Sequence, residues 1–216
     1  MVQQGVNMDK QVIRNLSYGM YIIGANDSKL VGCVVNTIVQ ITSDPITIMV
    51  SVNHDNYTNE VIKKTKKFSV SILDEKIDPE IIGIFGYKSS KDIDKYENID
   101  YSVVDNLPVI NNTCGNMICE VIDTLETNTH TIFLARVTNM FNSSDKTPMT
   151  YKYYHEVLKG KSPKNAPTYI SEKEKNNEKT IWKCSVCGYE VEKDELSEDF
   201  ICPICGEPVS AFNKLK

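Results

Sequence analysis

Residues 181–212 read IWKCSVCGYEVEKDELSEDFICPICGEPVSAF. Two C-x-x-C pairs, Cys184/Cys187 and Cys202/Cys205, stand 14 residues apart, and each is followed by a glycine, Gly188 or Gly206. Four thiolates at this spacing suit a tetrahedral site for zinc or a single iron. The glycines permit the tight turns that bring backbone amides up to thiolate sulfur. A domain below about 40 residues buries too little surface to fold unaided, so the metal must supply the missing stability. The ligand set alone leaves iron and zinc both open.

Upstream, residues 161–178 are dominated by lysine, proline, asparagine and glutamate, the composition of a surface segment and linker. The expected organisation is therefore a larger domain over residues 1–160, a linker over 161–178 and a small metal domain over 179–216. The chain of 216 residues suits one ordinary domain plus such an appendage. Its net charge of −5 and its two arginines, Arg14 and Arg136, argue against nucleic acid, which calls for a basic face. Seven cysteines, an odd number, favour metal or free thiols over a disulfide framework. No run of eighteen apolar residues suggests a membrane span, and MVQQGVNMDKQ lacks the pattern of a secretory signal, so a cytoplasmic protein is expected.

The larger domain is strand-rich. Ile46, Ile48, Val50 and Val52 alternate with Thr47, Met49 and Ser51, the period of a strand with one buried face. Phe68, Val70 and Ile72 repeat the pattern, and a third run spans Thr131 to Val137. Apolar stretches at 20–25, 31–41 and 116–125 complete the set, with short helices expected at 9–17, 58–66, 79–86 and 148–158. Strands and helices do not alternate regularly, so a mainly β, mostly antiparallel barrel fits better than a parallel doubly wound sheet. Neither a dinucleotide nor a nucleoside-triphosphate glycine motif is present.

The tail pattern, WKCSVCGY, an acidic stretch, CPICG and a phenylalanine, resembles a rubredoxin in the shortened form found in fusion proteins. That resemblance implies one iron per chain, with Trp182, Tyr189, Phe200 and Phe212 as the aromatic core behind it; zinc remains the alternative. The body resembles the flavin reductase-like, FMN-binding split β-barrel, above all the group in which this barrel is fused to a rubredoxin. The resemblance rests on SYGMYIIGA (17–25), NTIVQITSDP (36–45), SVNHDNYT (51–58), FGYKSSKDIDKY (85–96), THTIFLARV (129–137) and PMTYKYYHEVLKGKSPKNAPTYI (148–170), in this order.

By that resemblance, Asn36, Thr37, Gln40 and Thr42 face the isoalloxazine ring of FMN. Ser51, Asn53, Tyr57 and Thr58 gather its phosphate at a helix N-terminus, where free amides and the helix dipole favour an anion. Lys88 and Ser89 resemble a second phosphate contact, and His130 a contact of the flavin or a nicotinamide. A plain reading assigns these hydroxyls and amides to turns and caps. His54 and His155 read as surface or packing histidines, and Cys33, Cys114 and Cys119 as core thiols. Two departures stand out: Ala135 and Arg136 replace the family's usual glycine and acid, and Ser90 replaces a glycine after Lys88-Ser89.

The resemblance implies an electron-transfer oxidoreductase. Electrons would come from NAD(P)H or a reductase, pass through FMN to a one-electron Fe(Cys)4 centre, and leave to an acceptor such as a flavodiiron protein. It also implies a homodimer. Residues 179–216 hold five lysines against seven acids, so a basic patch on a partner would steer docking. Two other readings remain at this level: an FMN reductase with a structural zinc ribbon, and a non-enzymatic zinc-ribbon binding module on an empty barrel.

Overall fold

The computed structural model describes residues 10–143, 145–158, 160, 181–193 and 195–215. The chain divides into two compact units, Met1–Tyr169 and Ile170–Lys216. The expected linker at 161–178 lies outside the described residues.

The first described element of the body is a 3-10 turn at Lys10–Asn15, in place of the expected α-helix. Val12, Ile13 and Leu16 all remain exposed there, so no buried apolar face rewards a longer helix. Strands β1 (Tyr21–Asn26), β2 (Leu30–Val35), β3 (Ile38–Ser43) and β4 (Ile46–Asn53) follow, then helix α1 (Tyr57–Thr65), β5 (Lys67–Ile72) and α2 (Pro79–Tyr87). A small hairpin of β6 (Tyr101–Val104) and β7 (Leu107–Ile110) precedes the long strands β8 (Gly115–Glu126) and β9 (His130–Asn142), and α3 (Tyr151–Glu156) is the last described element of the body.

Seven strands form one antiparallel sheet in the order β2-β1-β5-β8-β9-β4-β3. Its edge strands β2 and β3 are consecutive in sequence and joined only by Asn36 and Thr37. Laid flat, the two edges would stand about 29 Å apart at the usual strand spacing. Three peptide steps reach only about 11 Å. The sheet must therefore curl until its edges meet across that link, which is how this sequence makes a split barrel.

The inward side chains bear this out. Ile23, Val31, Val50, Phe68, Val70 and Phe133 form one fully buried core, with Ile48 and Val52 beside them on β4, while Met49 and Ser51 are only half-buried. A second core gathers Met20, Ile22, Leu73, Ile82, Phe85, Ile110 and Met149 beneath α2 and α3. Asp78 caps α2 by accepting the Glu80 amide, with Pro79 at the first helical position. The expected helix at 148–158 is shorter: Met149 bonds as a strand to Leu73 and Met20, and the Thr150 hydroxyl accepts the Tyr153 amide to start α3.

Among the described residues the tail unit has three short strands, β10 (Ile181–Cys184), β11 (Glu190–Glu192) and β12 (Phe212–Lys214), in the order β11-β10-β12. Trp182, Tyr189, Leu196, Phe200 and Phe212 pack behind the cysteines, Phe200 meeting Phe212 edge-on at 5.4 Å. Among the described residues, no helix is long and apolar enough to cross a membrane.

Candidate metal centre and flavin cleft

The sulfurs of Cys184, Cys187, Cys202 and Cys205 lie within 4.8 Å of one another. Cys184 and Cys205 are 3.7 Å apart, and Cys187 and Cys202 are 3.5 Å apart. A tetrahedral ion with metal–sulfur bonds near 2.3 Å needs sulfur–sulfur edges of about 3.8 Å, so the cage is preformed. Each C-x-x-C pair builds the same knuckle. The Gly188 amide donates to Cys184 O and the Gly206 amide to Cys202 O, both at 2.9 Å, and both glycines sit at φ +77°. Only a residue without Cβ adopts that backbone freely.

Amides also point at sulfur. Burial raises the Cys202 thiol, but the amides of Cys205 and Ile204 and the neighbouring thiols outweigh it, leaving the thiol at about 7. The Tyr189 and Glu207 amides approach Cys187 and Cys205 in the same way. Cys184 and Cys202 are buried, whereas Cys187 and Cys205 are exposed, so the cage has one closed side and one open side.

In the body, the split between β2 and β3 gathers several of the expected flavin residues. The Thr37 hydroxyl donates to Ser51 O, and the Ser51 amide to Thr37 O, both at 3.3 Å. Asn53 ends β4 opposite His130 on β9, and its Oδ1 accepts the Asp55 amide at 2.8 Å to turn the chain into α1. The Asn59 carboxamide ties that helix back to Val52 O at 2.9 Å.

The first turn of α1 is unusual. Asn56, at its N-cap, makes no side-chain capping bond. Thr58 is 1% exposed, and its hydroxyl has no hydrogen-bond partner. An uncapped helix start beside a buried, unused hydroxyl fits an anionic ligand. The loop carrying Lys88 and Ser89 is drawn to the same place, because Lys91 lies over the Tyr57 ring at 5.1 Å and pairs with Glu60 at 2.8 Å. The Ser89 hydroxyl accepts the Lys91 amide at 3.1 Å.

His130 is partly buried, with Nδ1 at 2.8 Å from the Thr129 hydroxyl. Burial, then the charge of His54, pushes it below the ordinary histidine range, against a smaller opposing effect of Asp55. His54 is paired with Glu126 at 3.0 Å, a surface role, and Lys63 joins the same carboxylate at 2.8 Å.

Gln40 and Thr42 stand apart from this cluster. The Gln40 amide donates to Thr42 O at 3.2 Å, and the Thr42 hydroxyl meets Pro45 O and the Thr47 hydroxyl at 2.5 and 2.6 Å. Both are engaged within the β3–β4 hairpin, and Thr42 lies at its tip, far from Thr37. Asn36 is 6% exposed within the link itself.

The departures resolve in physical terms. Ser90 turns inward: its hydroxyl donates to Gly32 O and accepts the Gly32 amide, both at 3.3 Å. The Ala135 methyl enters the barrel core, and Arg136 is exposed opposite Glu120. Cys33, Cys114 and Cys119 are buried. Burial pushes Cys119 up to about 12 and also raises Cys33. Lys95 and the nearby Thr58 hydroxyl offset part of the rise at Cys33, although the hydroxyl lacks the geometry of a hydrogen bond. The sequence reading missed Lys95, whose buried ammonium bonds to the Gly32 and Phe85 carbonyls.

Comparison with known proteins agrees with both units. Residues 13–160 match the flavin reductase like domain, and residues 182–213 the rubrerythrin, rubredoxin-like domain. The high molecular weight rubredoxin of Moorella thermoacetica is 36% identical over 96% of this chain and 100% of its own length. The ferric-chelate reductase (NAD(P)H) of Archaeoglobus fulgidus is 30% identical over 77% of this chain and all of its own. The solved NADH:FAD oxidoreductase SgcE6 of Streptomyces globisporus shares the fold with a TM-score of 0.62 at 18% identity, covering 65% of this chain and 85% of that one. This chain therefore belongs to the flavin reductase-like family, in the two-domain form of the high molecular weight rubredoxins, with a rubredoxin-like domain following the barrel.

Proposed function

We propose that the protein is an oxidoreductase that takes electrons from NAD(P)H onto FMN in the barrel and delivers them through one iron held by Cys184, Cys187, Cys202 and Cys205. The observation that carries this reading is the pairing, in one chain, of the uncapped, hydroxyl-bearing start of α1 with a preformed four-sulfur cage. The similarity to a ferric-chelate reductase (NAD(P)H) supports the donor. A flavin converts between two-electron and one-electron chemistry, and an iron in four thiolates carries one electron, so the two suit consecutive places in one path.

The chain's own residues bind and orient. In this reading Ser51, Asn53, Tyr57, Thr58, Lys88 and Ser89 hold the phosphate and Asn36 and Thr37 lie along the ring, while Gln40 and Thr42, bonded within the β3–β4 hairpin, take no part. His130, kept neutral near pH 7 and steadied by Thr129, offers its free ring nitrogen to the flavin or nicotinamide. The exposed Cys187 and Cys205 leave the metal an edge from which an acceptor, such as a flavodiiron protein, would draw electrons. The acidic balance of residues 179–216 suits an acceptor with a basic patch.

The working unit in this reading is a homodimer. Edge strand β3 leaves five of its six residues exposed, including Val39 and Ile41, and a second copy would cover them. The buried free thiols of Cys33, Cys114 and Cys119 suit a cytoplasmic setting. The test is to release and identify the bound groups from gently purified protein by chromatography and metal analysis. FMN and iron in about equal amounts are expected; zinc would reduce the tail to a staple, and FAD would move the phosphate reading to a different nucleotide.

A further inference from the structure

Lys95 is 3% exposed. Its ammonium donates to the Gly32 carbonyl at 2.8 Å and the Phe85 carbonyl at 3.2 Å, and sits 5.6 Å from the centre of the Phe85 ring. No carboxylate among the described residues pairs with it. A buried cation held only by carbonyl dipoles is a costly arrangement.

Its position suggests what offsets the cost. The Gly32 carbonyl that accepts Lys95 also accepts the Ser90 hydroxyl, so the ammonium lies directly behind the loop that carries Lys88 and Ser89. The next residue on β2 is Cys33, whose thiol neighbours both Lys95 and Thr58 in the first turn of α1. Lys95 thus sits beneath both halves of the anion cleft, the loop and the helix start. Gly32 makes the arrangement possible, because a Cβ there would meet Tyr96 Oη at 2.7 Å and Phe85 Cε1 at 2.8 Å.

We propose that Lys95 is a buried counter-charge for the phosphate of the flavin nucleotide, acting through space from beneath the cleft. The inference rests on the flavin reading above and adds a residue that does not touch the ligand. A charge in the protein interior is screened far less than the hydrated ammonium groups on the rim. Of those, Lys91 is already neutralised by Glu60. A doubly negative phosphate would give Lys95 the counter-ion that the protein lacks, and part of that relief would count as binding affinity.

Riboflavin has the same ring system without the phosphate, so it separates charge from fold. In flavin-free full-length protein, Lys95→Gln keeps a donor for the two carbonyls while removing the charge. It is expected to weaken FMN about tenfold, about 1.4 kcal/mol, while riboflavin stays within about twofold. Lys95→Met should shift the two ligands in the same way. Equal losses of FMN and riboflavin in both variants, or unchanged FMN affinity, would overturn the proposal and leave Lys95 a structural residue. Wild-type protein that binds riboflavin as tightly as FMN would remove the phosphate subsite itself, and one that binds neither would remove the flavin reading.

Discussion

Burial of the Lys95 ammonium gives the body a pH-dependent stability of definite sign. Desolvation lowers this lysine from 10.5 to about 8 in the folded protein. Between those values the unfolded chain binds more protons than the folded one, so this residue's contribution to stability rises with pH. Below about 8 both states are protonated and the full penalty applies, a difference on the order of 3 kcal/mol. Denaturant titrations of wild type and Lys95→Met at about pH 7.5 and about pH 10 should show wild type gaining on the variant as pH rises; parallel behaviour would contradict the burial. Thr58→Val supplies a second contrast. Removing an unsatisfied buried hydroxyl should raise stability by about 1 kcal/mol while weakening FMN several-fold. A variant that loses stability instead would mean that the hydroxyl is bonded within the fold. The two residues were not equally visible in the sequence. Thr58 follows a turn and opens a helix, so its place could be read. Lys95 sits in KDIDKY, which reads as a solvated loop, and only packing beneath Gly32 takes it out of water.

At the scale of elements, β3 and the tight link before it matter most. The alternation at 46–52 was legible because β4 turns one face to the core, whereas at 68–72 the expected open face is covered. Ser69 and Ser71 are buried as well, the Ser69 hydroxyl donating to Pro108 O and the Ser71 hydroxyl accepting the Ile110 amide of the small hairpin. The apolar stretch 31–41 hid a break at Asn36 and Thr37, where one strand ends and the chain crosses the split to the other edge. Strands β6 and β7 went unseen because four residues are too few for a period to show. Replacing both Val39 and Ile41 with lysine should convert the expected dimer to a folded monomer, read by light scattering after size exclusion. A dimer that survives both changes would place the interface elsewhere. Gly32→Ala probes the seat of the loop. The new Cβ would also stand 2.9 Å from Ile23 O, a backbone atom within the sheet, so a loss of about 1–3 kcal/mol is expected in thermal or denaturant unfolding.

For the whole molecule, the two units differ in what holds them together. Among the described residues the body has three apolar clusters of its own, whereas the tail's small core depends on the four-sulfur cage. The tail was the most legible part, because ligand spacing is a local property that needs no tertiary context. The flavin cleft was legible only in outline: its residues come from β4, α1, the loop after α2 and β9, and no spacing along the chain announces that they meet. Spectral change on anaerobic reduction tests the combined reading most directly. NADH or NADPH added stepwise to the purified protein, with the visible spectrum recorded throughout, should bleach a flavin band and a red ferric–thiolate band, with about one iron per chain. A flavin band that bleaches over a colourless zinc tail, or an iron band that no reduced nicotinamide touches, would contradict electron transfer through the two centres.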